Sequence, residues 1–471
     1  MLELMPSFLS DHEILNRAAR IASGDIASNC LPYQAGLLTE EAVCLMAGLD
    51  YDMPWTRDAA INTMNAMCVL DPEIAKNTLL SVCEQSRDGY LIGGQYWDCI
   101  LWALGAWQYL AVNPDKAFQA LAAEAVCKTL KKLETEEFDE STGLFMGAAV
   151  YGDGIAAYPD KYAQTKEHRT GILDWPQTHA AEAEGSAHGI PMRVLSTNCA
   201  YYAAYRIAAR WSSPDAAAEW NAKADRLKAA IQTHFWNPET GRFDYLFDRT
   251  LRCDAAEALG LSFAILFGVT DKNQCRSILR NTPVTDHGIA CVWPSFDRYR
   301  IGNHYGRHSG TVWPHAEGFW ALANLRAGCP VGFEKELWGL SYRAVRDMQF
   351  AEIYHPITGE IYGGMQENES HGINVWKSCE KQTWSATAFW SLLLYGLCGL
   401  EITADRLLVQ PHLPTGVDHM ELKNLHLDNA VLHLIVDRDT GLPCNAVLPR
   451  PLSGEIELRL GPGAFIEASR L

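Results

Sequence analysis

The sequence predicts a mainly α-helical protein whose helices pair into six hairpins around a ring, an (α/α)6 toroid, followed by a small antiparallel β region. Apolar residues recur at i, i+3, i+4 and i+7 in about a dozen segments between residues 11 and 400. Long polar and aromatic loops separate these segments, the largest over 138–194 and others over 283–308 and 350–382. Loops of this length in a compact domain usually carry function.

The helical segments can be placed individually from the apolar periodicity. They are 11–23, 58–70, 72–85, 96–112, 114–135, 195–211, 214–235, 254–267, 271–281, 309–327, 332–348 and 383–398. Prolines at 72, 114 and 214 follow Asp, Asn or Ser, which is the pattern of a helix start. We therefore expect paired helices with the long loops gathered on one side.

After about residue 400 the pattern changes to alternating apolar and polar residues with Pro and Gly between the runs, which is typical of strands. The length of 471 residues is enough for two or three domains. We expect a helical domain over 1–400 and a β-rich domain over 401–471 with a structural role at one end of the helices.

The composition narrows the class of partner. A net charge of −18 disfavours nucleic acid and anionic lipid surfaces. No apolar run reaches the roughly 20 residues of a membrane span, and the N-terminus lacks the basic start of a secretory leader. The 14 cysteines include no C-x-x-C pair, and several lie in apolar runs. These features predict a cytoplasmic protein without a metal or cofactor, and they leave the oligomeric state open.

Two acidic and aromatic clusters lie in the first quarter of the chain. Trp55 precedes Arg57 and Asp58 at the start of a predicted helix, where the two charged residues can pair with each other or can bind vicinal sugar hydroxyls. Trp97 and Asp98 follow at the start of another helix, where Asp98 is either a helix cap or part of a sugar site.

A third cluster, Asp174 with Trp175, lies in the longest loop. A carboxyl against an indole tends towards a raised pKa because desolvation penalises the charged form, and this suits a general acid. The alternative is a solvated loop carboxylate, with Glu182 or Glu184 as the acid instead.

The fourth cluster contains several glutamates that are candidates for a general base. They are Glu352, Glu360, Glu367 and Glu380. Two separated carboxyls in an aromatic pocket are what glycosidic hydrolysis requires. His308 and His315 flank Trp313 with a spacing of seven, which favours hydrogen bonding at a sugar rim over metal binding because no third ligand is evident.

The ordered set of these motifs resembles the inverting (α/α)6 glycoside hydrolases over about residues 50–400. The set runs from Trp-Thr-Arg-Asp through Tyr-Trp-Asp, the Asp-Trp loop and His-Ser-Gly-Thr-Val-Trp-Pro to Gln-Thr-Trp-Ser-Ala. The similar groups are the amylo-α-1,6-glucosidase domain of glycogen-debranching enzymes, the glucoamylases, and the trehalases and processing α-glucosidases.

The resemblance implies roles for individual residues. Arg57 and Asp58 would hold the terminal sugar beside Asp98, Asp174 would be the general acid and Glu352 the base. The stretch from Glu352 to the last helix is longer than in glucoamylases, so Glu380 stays an alternative base. The other expected substrate-binding residues are Trp55, Trp97, Trp175, His308, Trp313, His315 and Trp384.

The predicted function is therefore an exo-acting, inverting glycosidase that cleaves α-glucosidic or related bonds of small oligosaccharides. A phosphorylase, an epimerase or a polysaccharide lyase on the same toroid is the first alternative. Arg298, Arg300 and Arg307 would bind phosphate in a phosphorylase, and paired histidines would serve an epimerase. A non-catalytic carbohydrate-binding protein is the second alternative.

Overall fold

The computed structural model describes residues 5–165, 169–183, 186–368, 372–438 and 441–463, and helices dominate it up to residue 400. We number the twelve longer helices α1 to α12. They are Glu13–Ser28, Thr56–Asn62, Pro72–Ser81, Leu101–Val112, Lys116–Glu137, Leu195–Trp211, Pro214–Phe235, Ala258–Leu266, Lys272–Asn281, Pro314–Arg326, Pro330–Asp347 and Thr383–Ser391. π-helical turns continue α2 over Thr63–Met67 and α12 over Leu392–Leu397.

The even-numbered helices form the inner layer. Each packs on the next in the order α2, α4, α6, α8, α10 and α12, and α12 packs back on α2, so the contacts form a closed cycle. The odd-numbered helices cover this layer: α1 lies against α12, α7 against α6 and α11 against α10. All nine residues of Ala258–Leu266 are buried, as expected for a helix enclosed on every side.

Local sequence explains where several outer helices begin. Asp71 and Asp115 accept hydrogen bonds from backbone amides in the first turns of α3 and α5. Asp271 and Gln274 form a capping box at α9, and Pro214 occupies the first turn of α7. No helix among the described residues is long and apolar enough to cross a membrane.

The strands are short up to residue 400 and longer beyond it. They are Ser7–Ser10, Cys30–Tyr33, Ala42–Leu45, Cys83–Ser86, Gly89–Ile92, Phe138–Asp139, Leu144–Phe145, Arg193–Val194, Trp236–Asn237, Arg242–Phe243, Leu246–Phe247, Arg252–Cys253, Ala256–Glu257, Val292–Trp293, Met365–Asn368, Gly372–Val375, Leu400–Ile402, Arg406–Val409, His419–Leu427, Asn429–Asp437, Ala446–Pro449 and Ser453–Leu460.

The C-terminal β region differs from the expected antiparallel sheet in two respects. Ser7–Ser10 from the N-terminus pairs with His419–Leu427, and Asn429–Asp437 pairs in parallel with Ser453–Leu460. The parallel pairing arises because the chain leaves this sheet to add Ala446–Pro449 to a second one before it returns. The expectation of a purely antiparallel region is wrong in this detail.

Candidate active site

A cavity of about 290 Å³ opens at the N-terminal ends of the inner helices. Arg57 and Asp58 in the first turn of α2 line it, as does Trp384 in the first turn of α12. Trp313, directly before α10, also lines it. The remaining lining comes from the long loops that precede these helices. Helix N-termini carry partial positive charge, so this end of the ring favours carboxylates.

Arg57 is buried and is the centre of a charge cluster. Its Nη1 donates to Asp98 Oδ2 at 3.0 Å and to Gln95 Oε1 at 2.9 Å, and its Nη2 donates to Asp153 Oδ2 at 3.0 Å. Its Nε lies 3.9 Å from Asp58 Oδ2. One guanidinium therefore serves three carboxylates.

The excess of negative charge in this cluster changes its protonation. Burial raises the pKa of Asp58 to about 7 against the lowering effect of Arg57, and Glu352 adds to the rise. Burial also raises the pKa of Asp98 to about 6. Burial acts in the same direction on Asp153, but Arg57 and His308 hold its pKa below the usual range. The cluster as a whole thus keeps a proton near neutral pH.

Glu352 faces the same cavity as a hydrogen-bond acceptor from three sides. Its Oε1 accepts from the Tyr51 hydroxyl at 3.3 Å. Its Oε2 accepts from Arg307 Nη2 at 2.7 Å and from the amide of Cys379 at 3.1 Å. Every one of these neighbours is a donor, which suits a carboxylate.

The backbone fixes the segment that carries Glu352. The amide of Glu352 donates to the carbonyl of Cys379, and Tyr354 exchanges two backbone hydrogen bonds with Val312. Trp313 next to Val312 donates through Nε1 to the carbonyl of Arg307 at 2.7 Å. The acidic segment and the His-Ser-Gly-Thr-Val-Trp segment are therefore held as one unit.

Aromatic rings and a neutral histidine form the floor of the cavity, and a second neutral histidine lies behind them. His308 stacks on Trp313 with ring centroids 4.6 Å apart, and His315 stacks on Trp384 at 4.1 Å. Burial lowers the pKa of both histidines to about 3, so both imidazoles are neutral at physiological pH.

Several buried polar atoms in the cavity wall lack a hydrogen-bond partner among the described residues. They are Trp55 Nε1, His308 Nδ1, Gln366 Oε1, Gln382 Oε1 and Trp384 Nε1. Buried polar groups are normally paired. A ligand rich in hydroxyl groups, which both donate and accept, would pair such a mixed set.

The structure brings about half of the sequence-predicted site residues together in this cavity. They are Trp55, Arg57, Asp58, His308, Trp313, Glu352 and Trp384. The others do not line it: they are Trp97, Asp98, Asp174, Trp175, His315 and Glu380. Of these, Asp98 and His315 lie directly behind lining residues, one bonded to Arg57 and the other stacked on Trp384.

Asp174 lies behind the cavity wall rather than in it. Its Oδ1 is 3.5 Å from Arg169 Nη1 and 3.2 Å from Gln177 Nε2. Trp175, the expected sugar platform, is buried and stacks on His179 with centroids 4.4 Å apart. The apolar neighbours of Asp174 and Trp175 predict that this pair faces the sugar. In the structure the Trp175 ring packs instead on His179 of the same loop.

The other candidate acids and bases do not line the cavity either. The Glu380 side chain is 53 % exposed and lies 3.7 Å from Lys377. Glu367 accepts from Arg298 and Tyr299, and Glu360 does not line the cavity. Glu182 lies 3.6 Å from Lys161, and Glu184 lies outside the described residues. Trp97 is fully buried.

Sequence reasoning missed Asp153 as a site residue. Its side chain is 37 % exposed, against a few per cent for Asp58 and Glu352, and this exposed part faces the cavity. Gly154 pairs with Gly171 across a backbone bridge, and a Cβ at Gly154 would lie 2.5 Å from Gln366 Oε1. An aspartate between two glycines in a loop was the available signal.

The sequence predicts a role for Arg307 only as a phosphate ligand in a phosphorylase, whereas the structure places it in the cavity lining, paired with Glu352. Arg298 is engaged by Glu367 and Asp160, and Arg300 pairs with Asp297 at the surface. Within the described ranges, no group of three or more His, Cys, Asp or Glu side chains is arranged to hold a metal ion.

The cavity combines several carboxyls with indole rings, and carboxyl groups in an aromatic pocket are what glycosidic hydrolysis requires. The chain belongs to the mannosylglycerate hydrolase MGH1-like glycoside hydrolase domain family, whose model matches residues 51–385. No curated protein matches the chain.

Solved structures share the fold at low sequence identity. A sialidase is 14 % identical with a TM-score of 0.65, over 90 % of this chain and 37 % of its own length. The GH63 mannosylglycerate hydrolase from Thermus thermophilus, in complex with glucose, is 13 % identical with a TM-score of 0.57, over 79 % of this chain and 99 % of its own. The GH78 rhamnosidase of Bacillus sp. GL1 is 14 % identical with a TM-score of 0.55, over 98 % and 44 % respectively.

Proposed function

We propose that the protein is an exo-acting, inverting glycosidase in which Glu352 is the general base and Asp153 the general acid. The observation that carries this proposal is that Glu352 and Asp153 line one cavity, each beside its own arginine. Glu352 would take a proton from water as that water attacks the anomeric carbon. Asp153 would give a proton to the departing glycosidic oxygen, and the products would be the inverted sugar and an alcohol.

The proton for the acid step comes from the Arg57 cluster. The pKa of Asp58, about 7, means that the cluster holds a proton near neutral pH, and Asp153 shares the same guanidinium. Sugar hydroxyls that bind Asp58 and Arg57 would loosen the Arg57–Asp153 pair. Arg57 holds the pKa of Asp153 below its usual range in the free protein, so the acid step requires that this loosening moves the cluster's proton to Asp153, next to the bond that breaks. Asp58 and Arg57 thus serve both sugar binding and protonation.

The size of the cavity favours a terminal sugar over an internal one. Small-molecule sites generally span about 300–1,000 Å³, and this cavity lies at the lower limit. We infer a short substrate such as an α-glucoside or α-mannoside with a small aglycone; the latter class includes mannosylglycerate, the substrate named for the family. Trp376, 36 % exposed at the rim, would contact the aglycone.

The proposal also covers the fold, the domain division and the cellular compartment. We propose that the closed cycle of inner helices and its outer layer are an (α/α)6 toroid over residues 1–400, with 401–471 as a separate β-rich domain. The closed contacts of α2 to α12 support the toroid. Free thiols at Cys68, Cys99 and Cys398, all buried, favour the reducing cytoplasm.

Turnover of three variants tests the assignment of acid and base. Glu352→Gln and Asp153→Asn should each lower kcat/KM on the best substrate by about 10²–10⁴-fold. Asp174→Asn is the matched control, since it is the same change in the same loop but behind the wall, and it should stay within about threefold. If kcat/KM instead fell by orders of magnitude in Asp174→Asn and stayed normal in Asp153→Asn, the general acid would be Asp174, as expected from the sequence.

The substrate and stereochemistry are tested with a panel of α-glucosides, α-mannosides and mannosylglycerate. Proton NMR of the first product should show the anomer opposite to that of the substrate, and a retained anomer would contradict inversion. Turnover should proceed without phosphate, and phosphate should yield no sugar 1-phosphate. Release of sugar 1-phosphate would identify a phosphorylase that uses Arg307.

A further inference from the structure

A second cavity lies at the opposite end of the ring, where the inner helices end. Its volume is about 480 Å³, larger than that of the candidate active site. The last turns of α4 and α6, the π-helical turn after α12 and the strand Leu400–Ile402 enclose it. The proposed hydrolytic chemistry uses none of these residues.

Two indole rings dominate the wall of this cavity. Trp107 and Trp211 are each only partly buried, with ring centroids 5.8 Å apart and planes tilted by 43°. The Arg210 guanidinium lies over Trp107, 5.5 Å from the ring centroid. Indole faces are electron-rich and attract the polarised C–H groups on the face of a sugar ring.

Glu401 supplies an unsatisfied acceptor in the same wall. Its side chain is only 10 % exposed, and its Oε1 accepts from Arg406 at 3.0 Å. Its Oε2 is buried, and within the described ranges no donor lies in hydrogen-bond range of it. A buried carboxylate oxygen without a donor is unfavourable, so this atom favours a ligand that carries an O–H or N–H group.

Further polar groups line the cavity beside the indoles. Gln108 donates through Nε2 to the Tyr395 hydroxyl at 3.4 Å, and Gln119 is exposed at the edge. The charged lining residues are Arg210, Glu401 and Asp405, and Arg406 is paired with Glu401. The charges around this cavity therefore cancel, which gives an anionic ligand no advantage.

We propose that this cavity, formed around Trp107, Trp211 and Glu401, is a second, non-catalytic sugar site that binds a neutral mono- or disaccharide. The sugar ring packs on the exposed parts of the indoles, and one hydroxyl donates to the Glu401 carboxylate, whose side chain rotates to present the oxygen that now lacks a donor among the described residues. The site holds sugar at the end of the ring away from Glu352 and Asp153. Its existence does not depend on the proposed acid and base, because no lining residue is shared with the candidate active site.

Calorimetric titration of the whole protein tests the proposal. The probes are D-glucose, D-mannose and D-galactose, with D-glucuronate as the anionic comparison. We expect a neutral-sugar binding event that survives Asp58→Ala in the active-site cavity. Trp107→Ala and Glu401→Gln should each weaken this event at least tenfold. Glu457→Gln, at another glutamate paired with an arginine on a strand, is the matched control and should leave it unchanged.

The outcomes separate this site from the active-site cavity. Binding that disappears in Asp58→Ala and is unchanged in Trp107→Ala and Glu401→Gln would overturn the proposal, as would tighter binding of glucuronate than of the neutral sugars. Melting temperatures identify a variant that fails to fold, and Glu401→Gln then decides because it preserves side-chain volume. A crystal soaked in the best sugar should show it against the indoles and within hydrogen-bond distance of the Glu401 carboxylate.

Discussion

The two ends of the helical ring carry opposite kinds of chemistry. At the N-terminal ends of the inner helices, Arg57, Asp58, Asp153 and Glu352 line a charged cavity. At the C-terminal ends, two indoles and Glu401 line a larger one, and one carboxylate oxygen of Glu401 has no donor among the described residues. The helix dipole contributes to this division, since N-termini stabilise carboxylates and C-termini do not.

The longer loops lie at the same end of the ring as the charged cavity. The connections that follow inner helices are short, such as 113–115, 212–213 and 327–329, whereas those that precede them are long, such as 138–194 and 348–382. Long loops can carry catalytic side chains on a rigid scaffold. The difference teaches that the carboxylates and arginines of the candidate active site come from the end where the long loops meet.

Removing one arginine from each cavity should give the largest difference in unfolding free energy between the two ends of the ring. Arg57→Met leaves three carboxylates around a buried site and should cost about 3–5 kcal/mol in unfolding free energy at pH 8, with turnover lost. Arg210→Met removes an exposed cation over one indole and should cost about 0.5–1 kcal/mol. Denaturant titration measures both, and equal losses would contradict the contrast.

A buried carboxyl beneath the active-site cavity should make stability depend on pH. Burial raises the pKa of Glu257 from 4.5 to about 8, against hydrogen bonds from Ser196. The folded protein therefore binds this proton more tightly than the unfolded chain, so stability is full below about pH 4.5 and falls as pH rises towards 8. The loss amounts to about 4–5 kcal/mol.

Glu257→Gln removes that loss while keeping a carbonyl to accept from Ser196. The variant should match the wild type near pH 5 and be several kcal/mol more stable at pH 8, as measured by denaturant titration at each pH. Glu455→Gln, at an exposed side chain, accounts for the general effect of losing a carboxylate. A wild-type stability that rises between pH 5 and 8, with no gain in the variant, would refute the assignment.

The sequence was sufficient to locate the helices, because outer helices such as Lys272–Asn281 carry a one-sided apolar pattern and inner ones such as Ala258–Leu266 are apolar runs. The segment expected over 214–235 is Pro214–Phe235, and the one over 271–281 is Lys272–Asn281. Predicted helix boundaries were wrong where apolar periodicity does not mark the end of a helix. The helix expected over 96–112 begins only at Leu101, because residues 96–100 form a turn in which Asp98 accepts a hydrogen bond from Arg57. The parallel strand pair depends on long-range contacts that no local pattern records.

The sequence also predicts those cavity residues that lie close to regular structure, and it does not decide between residues of the long loop. Arg57, Asp58 and Glu352 lie next to helices or in short bridged segments, so their position follows from the motif. Asp153 and Asp174 lie in one loop without periodicity, and the choice between them depends on the Gly154–Gly171 bridge. That bridge turns Asp153 towards the cavity and leaves Asp174 bonded to Arg169 behind the wall.

The charge cluster should also set the pH dependence of catalysis. The alkaline limb of kcat/KM reports loss of the shared proton, with the pKa of Asp58 at about 7. Asp98 raises that pKa by repulsion and also engages Arg57. Asp98→Asn should therefore shift the alkaline limb to lower pH, by about half to one unit.

Measurement of kcat/KM from pH 5 to 9 checks the direction of this shift. Asp50→Asn is the control, because Asp50 pairs with Lys377 at the surface and does not contact Arg57. An alkaline limb that stays in place or moves to higher pH in Asp98→Asn would show that the proton is not held by the Arg57 cluster.

The smallest effect on catalysis should come from the opposite end. Trp107→Ala should leave kcat and KM within about twofold on a small substrate, because Trp107 lies in α4, which contributes no residue to the lining of the active-site cavity. The change removes no charge, and even charges are largely screened beyond about 10 Å in ordinary buffer. A tenfold fall in kcat with the melting temperature preserved would show that the ends are coupled through the inner helices. The division between a catalytic end and a sugar-holding end would then fail, since occupancy of one cavity would control the other.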